Sequence, residues 1–223
     1  GEVKVHPCSD EHNSILEFDA RIFKKPTTDA AAKVLVVGLD GVRPDALLLA
    51  NTPTMDMLAR HAAYSYKAHT QLTTKTKSGP GWSSVMTGVD ADKHGVDSNL
   101  NETLEAHNTL YPSFLQRAHD ALGTRTAAAA HWVPALLLTP DDALDAVALG
   151  DDKSVTMQME AFLYEDDFDL HFVHLDDPDA AGHSNGFQVD NELYIEAIEN
   201  SDTHIQTLID GLLMRPSVDE EDW

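Results

Sequence analysis

A single cysteine, Cys8, stands in 223 residues, so the chain cannot close a disulfide within itself. Cys8 lies in a polar stretch with no partner pattern and reads as a free thiol. Basic residues are scarce too: 15 Lys and Arg face 38 Asp and Glu, for a formal net charge of −23. A field of that sign disfavours nucleic acid and anionic membrane surfaces as general partners. An anionic substrate would need local cations, supplied by Lys, Arg or metal ions. The acidity otherwise reads as a solubility surface of the kind that suits high salt, where charges are screened over a few ångströms. No run of about 18 apolar residues occurs, which argues against a membrane-spanning helix, and the residues after Gly1 carry no signal-peptide pattern. What the chain does have is 42% hydrophobic residues, enough for the core of one large domain, without repeats or low-complexity linkers.

The pattern alternates strands with helices. Residues 1–32 lack periodicity and read as an irregular segment leading into a domain over 33–223. The run KVLVVGL (33–39) and the run LHFVHL (170–175) are apolar and rich in β-branched or aromatic residues, as buried parallel strands are. Shorter strands are predicted over 64–70 and 124–131. Helices are predicted over 52–63, 82–87, 111–122, 154–164 (with Ser154 as N-cap) and 192–213, separated by a polar loop over 73–81. The fold class that follows is α/β, a mostly parallel sheet sandwiched by helices. In such sheets ligands bind at the carboxyl ends of strands, and here both strong strands run directly into acids.

Three constellations carry chemistry. Asp40 ends the first strand and precedes Gly41, so its carboxylate can reach a crevice while the backbone turns; a turn or capping Asp would look the same. Asp179 and His183, four apart in DDPDAAGHSNGF, share one face of a helical turn and could bind one ion through oxygen and nitrogen; a capping Asp with a surface His is the plainer alternative. Ser78, in TKSGPGWSS, sits where a loop gives way to a helix, whose free N–H groups favour phosphate or sulfate. A hydroxyl without a base needs activation, which metal coordination would provide; otherwise Ser78 is an ordinary N-cap. Of the twelve His, His94 reads as fixing the turn after the nucleophile segment, and Asp202 and His204 as structural. Lys75 and Lys77 read as solvated loop charges, with steadying a phosphate as the alternative, and Trp82 as either pocket wall or core.

Taken together, in this order and spacing, these segments resemble the alkaline phosphatase superfamily, nearest its nucleotide pyrophosphatase/phosphodiesterase branch. VVGLDGVRPDAL resembles the opening strand with its metal-binding Asp. TKSGPGWSSVMTGVDADKHGV is similar to the nucleophile segment, and DDPDAAGHSNGF to the metal-binding PDxxGH. The resemblance implies hydrolysis of a phosphate mono- or diester through a phosphoserine on Ser78. It implies two divalent ions, zinc by expectation, with Asp40, Ser78, Asp179 and His183 as ligands. A small phosphate ester would be the substrate, and secretion, the periplasm or the cell surface the location.

The chain also departs from the pattern. Ser78 and Gly81 stand where members of that branch often carry Thr and a phosphate-contacting Asn. Ser78-Gly-Pro also resembles the sulfatase pattern, but Trp82 occupies the place of that pattern's Arg, which disfavours a sulfatase. The family draws an Asp-His pair from the next strand and a further His beyond it, and the sequence stops at Trp223, where that strand would begin. The expectation is therefore a domain incomplete at its C-terminus and completed by a further segment or a partner chain. The rival is a non-catalytic binding or structural module built on the same fold.

Overall fold

The computed structural model describes residues 31–68, 76–100, 111–132, 144–165 and 168–223. Cys8, most of the predicted irregular segment, Lys75 and the end of the 64–70 prediction lie outside them. A two-residue strand, β1 (Ala31–Ala32), precedes β2 (Val34–Leu39). The remaining strands are β3 (Thr126–Ala130), β4 (Leu144–Ala148), β5 (Leu170–Leu175) and β6 (Glu221–Asp222). The main sheet has the order β2-β5-β3-β4 and is parallel throughout, while β1 and β6 make a separate parallel pair.

Parallel strands need crossovers, and helices supply them. After β2 come α1 (Pro44–Leu47), α2 (Pro53–His61), α3 (Ser78–Thr87), α4 (Ala91–His94) and α5 (Phe114–Leu122). Helix α6 (Asp152–Tyr164) joins β4 to β5, and α7 (Asp177–Asn185) and α8 (Glu192–Leu213) follow β5. Successive residues of a strand point to opposite faces, and LHFVHL uses both. Phe172 packs with Trp82, Met86 and Leu115 on one face; Val173 and Leu175 pack with Val155, Met159, Leu163 and Leu208 on the other. All six residues of β5 are buried, as befits a central strand covered on both sides.

Register sets the working edge. Gly38 and Ala130 both pair with His174, and Leu39 pairs with Leu175. The three strands thus end level, and Asp40, His131 and Asp176 leave the sheet side by side.

Several local expectations are corrected. Residues 64–68 are irregular, with a turn at 66–67, and do not form a strand. Tyr64 and Tyr66 stack edge-on at 5.3 Å and stay partly exposed, and a segment with no strand beside it has no ladder for its backbone groups. Helix α3 begins at Ser78, four residues earlier than predicted, because Pro80 falls in its first turn, where no N–H is needed. Its N-cap is Lys77, so Ser78 is not a cap. Helix α6 is capped by Asp151, whose carboxylate accepts from the Ser154 backbone N–H and hydroxyl, both at 2.8 Å; Ser154 lies inside the helix. Strand β4 has no counterpart in the sequence prediction: five residues, LDAVA, with one charge, give too little pattern to read.

Candidate active site

The turn after β2 is held from several sides. Gly41 has φ +71°, a left-handed conformation that a side chain disfavours, and a Cβ there would lie 2.5 Å from the Asp179 Cα. The start of α7 therefore rests against the end of β2. Tyr194 of α8, fully buried, donates its hydroxyl to the Gly41 carbonyl at 2.6 Å and accepts the Arg43 N–H at 3.0 Å. Asp40 is thereby fixed at the mouth of the sheet. One of its oxygens accepts the Gly41 N–H at 2.9 Å, the other the Trp82 indole N–H at 2.9 Å. Burial alone would raise its pKa; His174, Trp82 and the Ser78 hydroxyl beside it outweigh that and hold it below the usual carboxylate range.

Ser78 opens α3 on the same cleft as Asp40, and its hydroxyl is among the groups that lower the Asp40 pKa. The loop that returns from α4 locks this helix start. The Gly79 N–H donates to Asn99 Oδ1 at 2.8 Å, and a Cβ on Gly79 would come within 2.2 Å of the Ser98 carbonyl oxygen. His94 holds the same return: its Nδ1 accepts the Val96 N–H and its Nε2 meets the Ser84 hydroxyl, both at 3.0 Å. The buried His94 is thus a turn-fixing residue, as the sequence suggested.

Asp179 and His183 face each other across one turn of α7, Oδ2 to Nε2 at 3.3 Å. Burial raises the Asp179 pKa, and neighbouring Asp40 adds to the effect. The His183 side chain is 74% exposed and rests edge-on against Phe187 at 5.2 Å. Asp40, Ser78, Asp179 and His183, drawn from three separate stretches of chain, all line one cleft of about 540 Å³. Its cations are Arg43 and Lys77, and Trp82, Val85 and Phe187 give it an apolar wall. Trp82 is therefore both pocket wall and core.

The structure adds His174 and Asp152, which the sequence did not single out, and brings Asp176 to the same edge. His174, fully buried in β5, brings Nε2 to 3.6 Å from Asp40 Oδ2, and Asp176 follows at the strand end. Burial, with Asp40 and Asp179 nearby, pushes the Asp176 pKa up to about 6. Asp152, buried at the start of α6, accepts the backbone N–H groups of Asp176 and Asp177 at 2.8 and 2.9 Å and pairs with His131 at 2.7 Å. It holds the start of α7, the helix that carries Asp179. Among the described residues, two groups of His and carboxylates are close enough to share an ion: Asp40, His174 and Asp176, and His131, Asp152 and Asp177. The chemical signal for His174 was a polar ring near the end of an otherwise apolar strand; Asp152 left no signal, because only the fold brings it to residue 176. Asp202 is structural as expected, its carboxylate accepting the Thr54 and Met55 N–H groups that open α2.

The fold recurs in solved structures. Human ectonucleotide pyrophosphatase/phosphodiesterase 5 superposes with a TM-score of 0.65 at 20% identity, over 81% of this chain and 52% of that one. The murine protein gives 0.63 at 23% identity, over 81% and 52%. Phosphonoacetate hydrolase from Sinorhizobium meliloti 1021, in complex with phosphonoacetate, gives 0.57 at 18% identity, over 82% and 54%. The chain thus spans about half the length of these relatives. No described helix is long and apolar enough to cross a membrane. Residues 34–219, from the first residue of β2 to beyond α8, match the family described as type I phosphodiesterase / nucleotide pyrophosphatase, and the chain belongs to that family.

Proposed function

We propose that the protein hydrolyses phosphate mono- or diesters through a phosphoserine on Ser78. The observation that carries this reading is the convergence of Ser78, Asp40, Asp179 and His183 on one cleft. The donor set suits divalent ions. The 3.3 Å between Asp179 Oδ2 and His183 Nε2 matches the roughly 3.3 Å edge of a tetrahedron with bonds of about 2.0–2.1 Å. Asp40 with Ser78 would hold one ion, Asp179 with His183 another, and mixed nitrogen and oxygen donors favour zinc. Such ions, when bound, lower the pKa of the hydroxyl and draw charge off the phosphoryl oxygens.

The chain's own residues do the rest. The Asp40 carboxylate orients the Ser78 hydroxyl toward the cleft. The positive end of the α3 dipole favours an anionic phosphoryl group, and Arg43 and Lys77 at the rim offset the negative surface. The Ser78 hydroxyl gives its proton to solvent and its oxygen bonds to phosphorus as the bond to the leaving oxygen breaks, and the leaving oxygen takes up a proton from solvent. Water then cleaves the phosphoserine. Trp82, Val85 and Phe187 offer an apolar surface to the esterified group.

Ser78→Ala should lower hydrolysis of a nitrophenyl phosphate ester by at least about 10³-fold while leaving metal content near wild type, since the carboxylates and the imidazole remain. Unchanged turnover would move the nucleophile elsewhere, with Thr76 next along the cleft. One observation favours a second reading, a non-catalytic module completed by a partner chain: among the described strands only β5 pairs with β2. A full-length protein with no esterase activity at any metal concentration would select it.

A further inference from the structure

His174 presents a problem that the surrounding protein does not solve. It is fully buried, and neither ring nitrogen has a hydrogen-bond partner. A buried polar group left unsatisfied costs about 1–3 kcal/mol, and a neutral imidazole has both a donor and an acceptor to satisfy. The ring has little freedom to seek partners. It stacks edge-on against Trp82 at 4.7 Å and lies beside Trp132 at 6.4 Å.

The nearest polar atom of note is Asp40 Oδ2, 3.6 Å from Nε2. That is too long for a hydrogen bond, but only a few tenths beyond the roughly 3.3 Å between two donors on one tetrahedral zinc ion. Asp176, just past the end of β5, brings a carboxylate oxygen to the same place, so that one donor atom from each of the three residues lies within 4.8 Å of the others. The second such group lacks this character. Its histidine, His131, is already paired through Nδ1 with Asp152 at 2.7 Å, and Asp152 in turn accepts two backbone N–H groups, so that group is a hydrogen-bonded cap.

We propose that Asp40, His174 and Asp176 form a divalent-cation site, with one imidazole nitrogen and two carboxylates as ligands. Its donor set suits zinc or another ion that accepts mixed nitrogen and oxygen ligands. The Trp82 N–H on Asp40 then acts as an outer hydrogen bond that orients a ligand. Because Asp40 also touches Ser78, the ion would sit beside the nucleophile. The inference rests on the phosphoester reading only for what the ion does there; its binding stands or falls separately.

Cobalt(II) titration of the full-length protein, followed by visible absorption and by equilibrium dialysis, tests it, with far-ultraviolet circular dichroism to check each variant's fold. Asp176→Asn and His174→Gln should each weaken the same cobalt equivalent by about tenfold or more, and His183→Ala should leave that equivalent in place. Wild-type affinity for every equivalent in Asp176→Asn overturns the site. Asp176 is half-buried and its Asn replacement keeps the shape, so this variant decides the matter alone if His174→Gln does not fold. Ser78→Ala separates the two readings: if it keeps esterase turnover while Asp176→Asn loses cobalt, the role of Ser78 falls and the cation site stands.

Discussion

At the scale of single residues, charge is handled in two opposite ways. Near the cleft, acids crowd: Asp40 raises the pKa of both Asp176 and Asp179, and Asp179 adds to the rise at Asp176. At the far end of the sheet a buried acid is fully compensated. Glu221 receives the Arg215 guanidinium in two bonds, Nε and Nη2 at 2.8 and 2.7 Å, with the Ser217 hydroxyl and Trp223 indole adding 2.9 and 2.8 Å. Burial works against ionisation there, but these donors hold the Glu221 pKa down to about 2. A carboxylate with a depressed folded pKa stabilises the fold above its unfolded value, near 4.5, and loses that contribution as pH falls toward 2. Glu221→Gln should therefore cost on the order of 3 kcal/mol at neutral pH. The gap from wild type should narrow between about pH 4.5 and pH 2, as read by denaturant unfolding across that range; a gap constant with pH would mean that the ion pair contributes little. Much of the cleft was legible in residue types alone. Asp40 ends a readable strand, Ser78 lies where a polar loop gives way to a helix, Asp179 and His183 lie four apart just past a second readable strand, and the fold brings them together. His174 was hidden because a His in an apolar strand looks like a core residue until register shows what it faces. Asn99 was hidden because its role depends on a loop closing back 20 positions onto Gly79.

At the scale of elements, the long pieces were readable and the short ones were not. β2, β5 and α8 carry enough apolar periodicity to declare themselves. β4 and the start of α3 do not, since a five-residue strand and a Pro-containing first turn leave little pattern. The contact between β2 and α7 was also out of reach. It depends on Gly41, whose lack of a side chain lets the Asp179 backbone approach. Gly41→Ala would strain a left-handed residue by about 1–2 kcal/mol and push Asp179 from the cleft. A displacement of about 1 Å can cost roughly 10²-fold in rate. Ester hydrolysis by Gly41→Ala should fall by about that factor, while its melting temperature drops by only a few degrees. Wild-type turnover in this variant would show that the spacing of Asp40 and Asp179 is not critical.

At the scale of the whole molecule, the net charge of −23 sets the response to salt. Surface acids repel one another at low ionic strength, and raising salt from 0.1 M to 1 M shortens the screening length from about 10 to 3 Å. Thermal stability should rise over that range in potassium chloride by several degrees, as read by calorimetry; a flat or falling trend would mean that the acidity carries no net strain. The strand order has a different consequence, one of timing. β2 is made first of the main-sheet strands, yet its described neighbour is β5, 136 positions later by the pairing of Val34 with Leu170. β3 and β4 can meet early, being close in sequence, but β5 must insert between β3 and β2 before either face of the sheet can close. Pairings so distant in sequence are slow to form. While the ribosome is still making the segment between them, β2 therefore stands as an unpaired apolar strand, the interval in which a newly made chain is most open to aggregation and most in need of a chaperone.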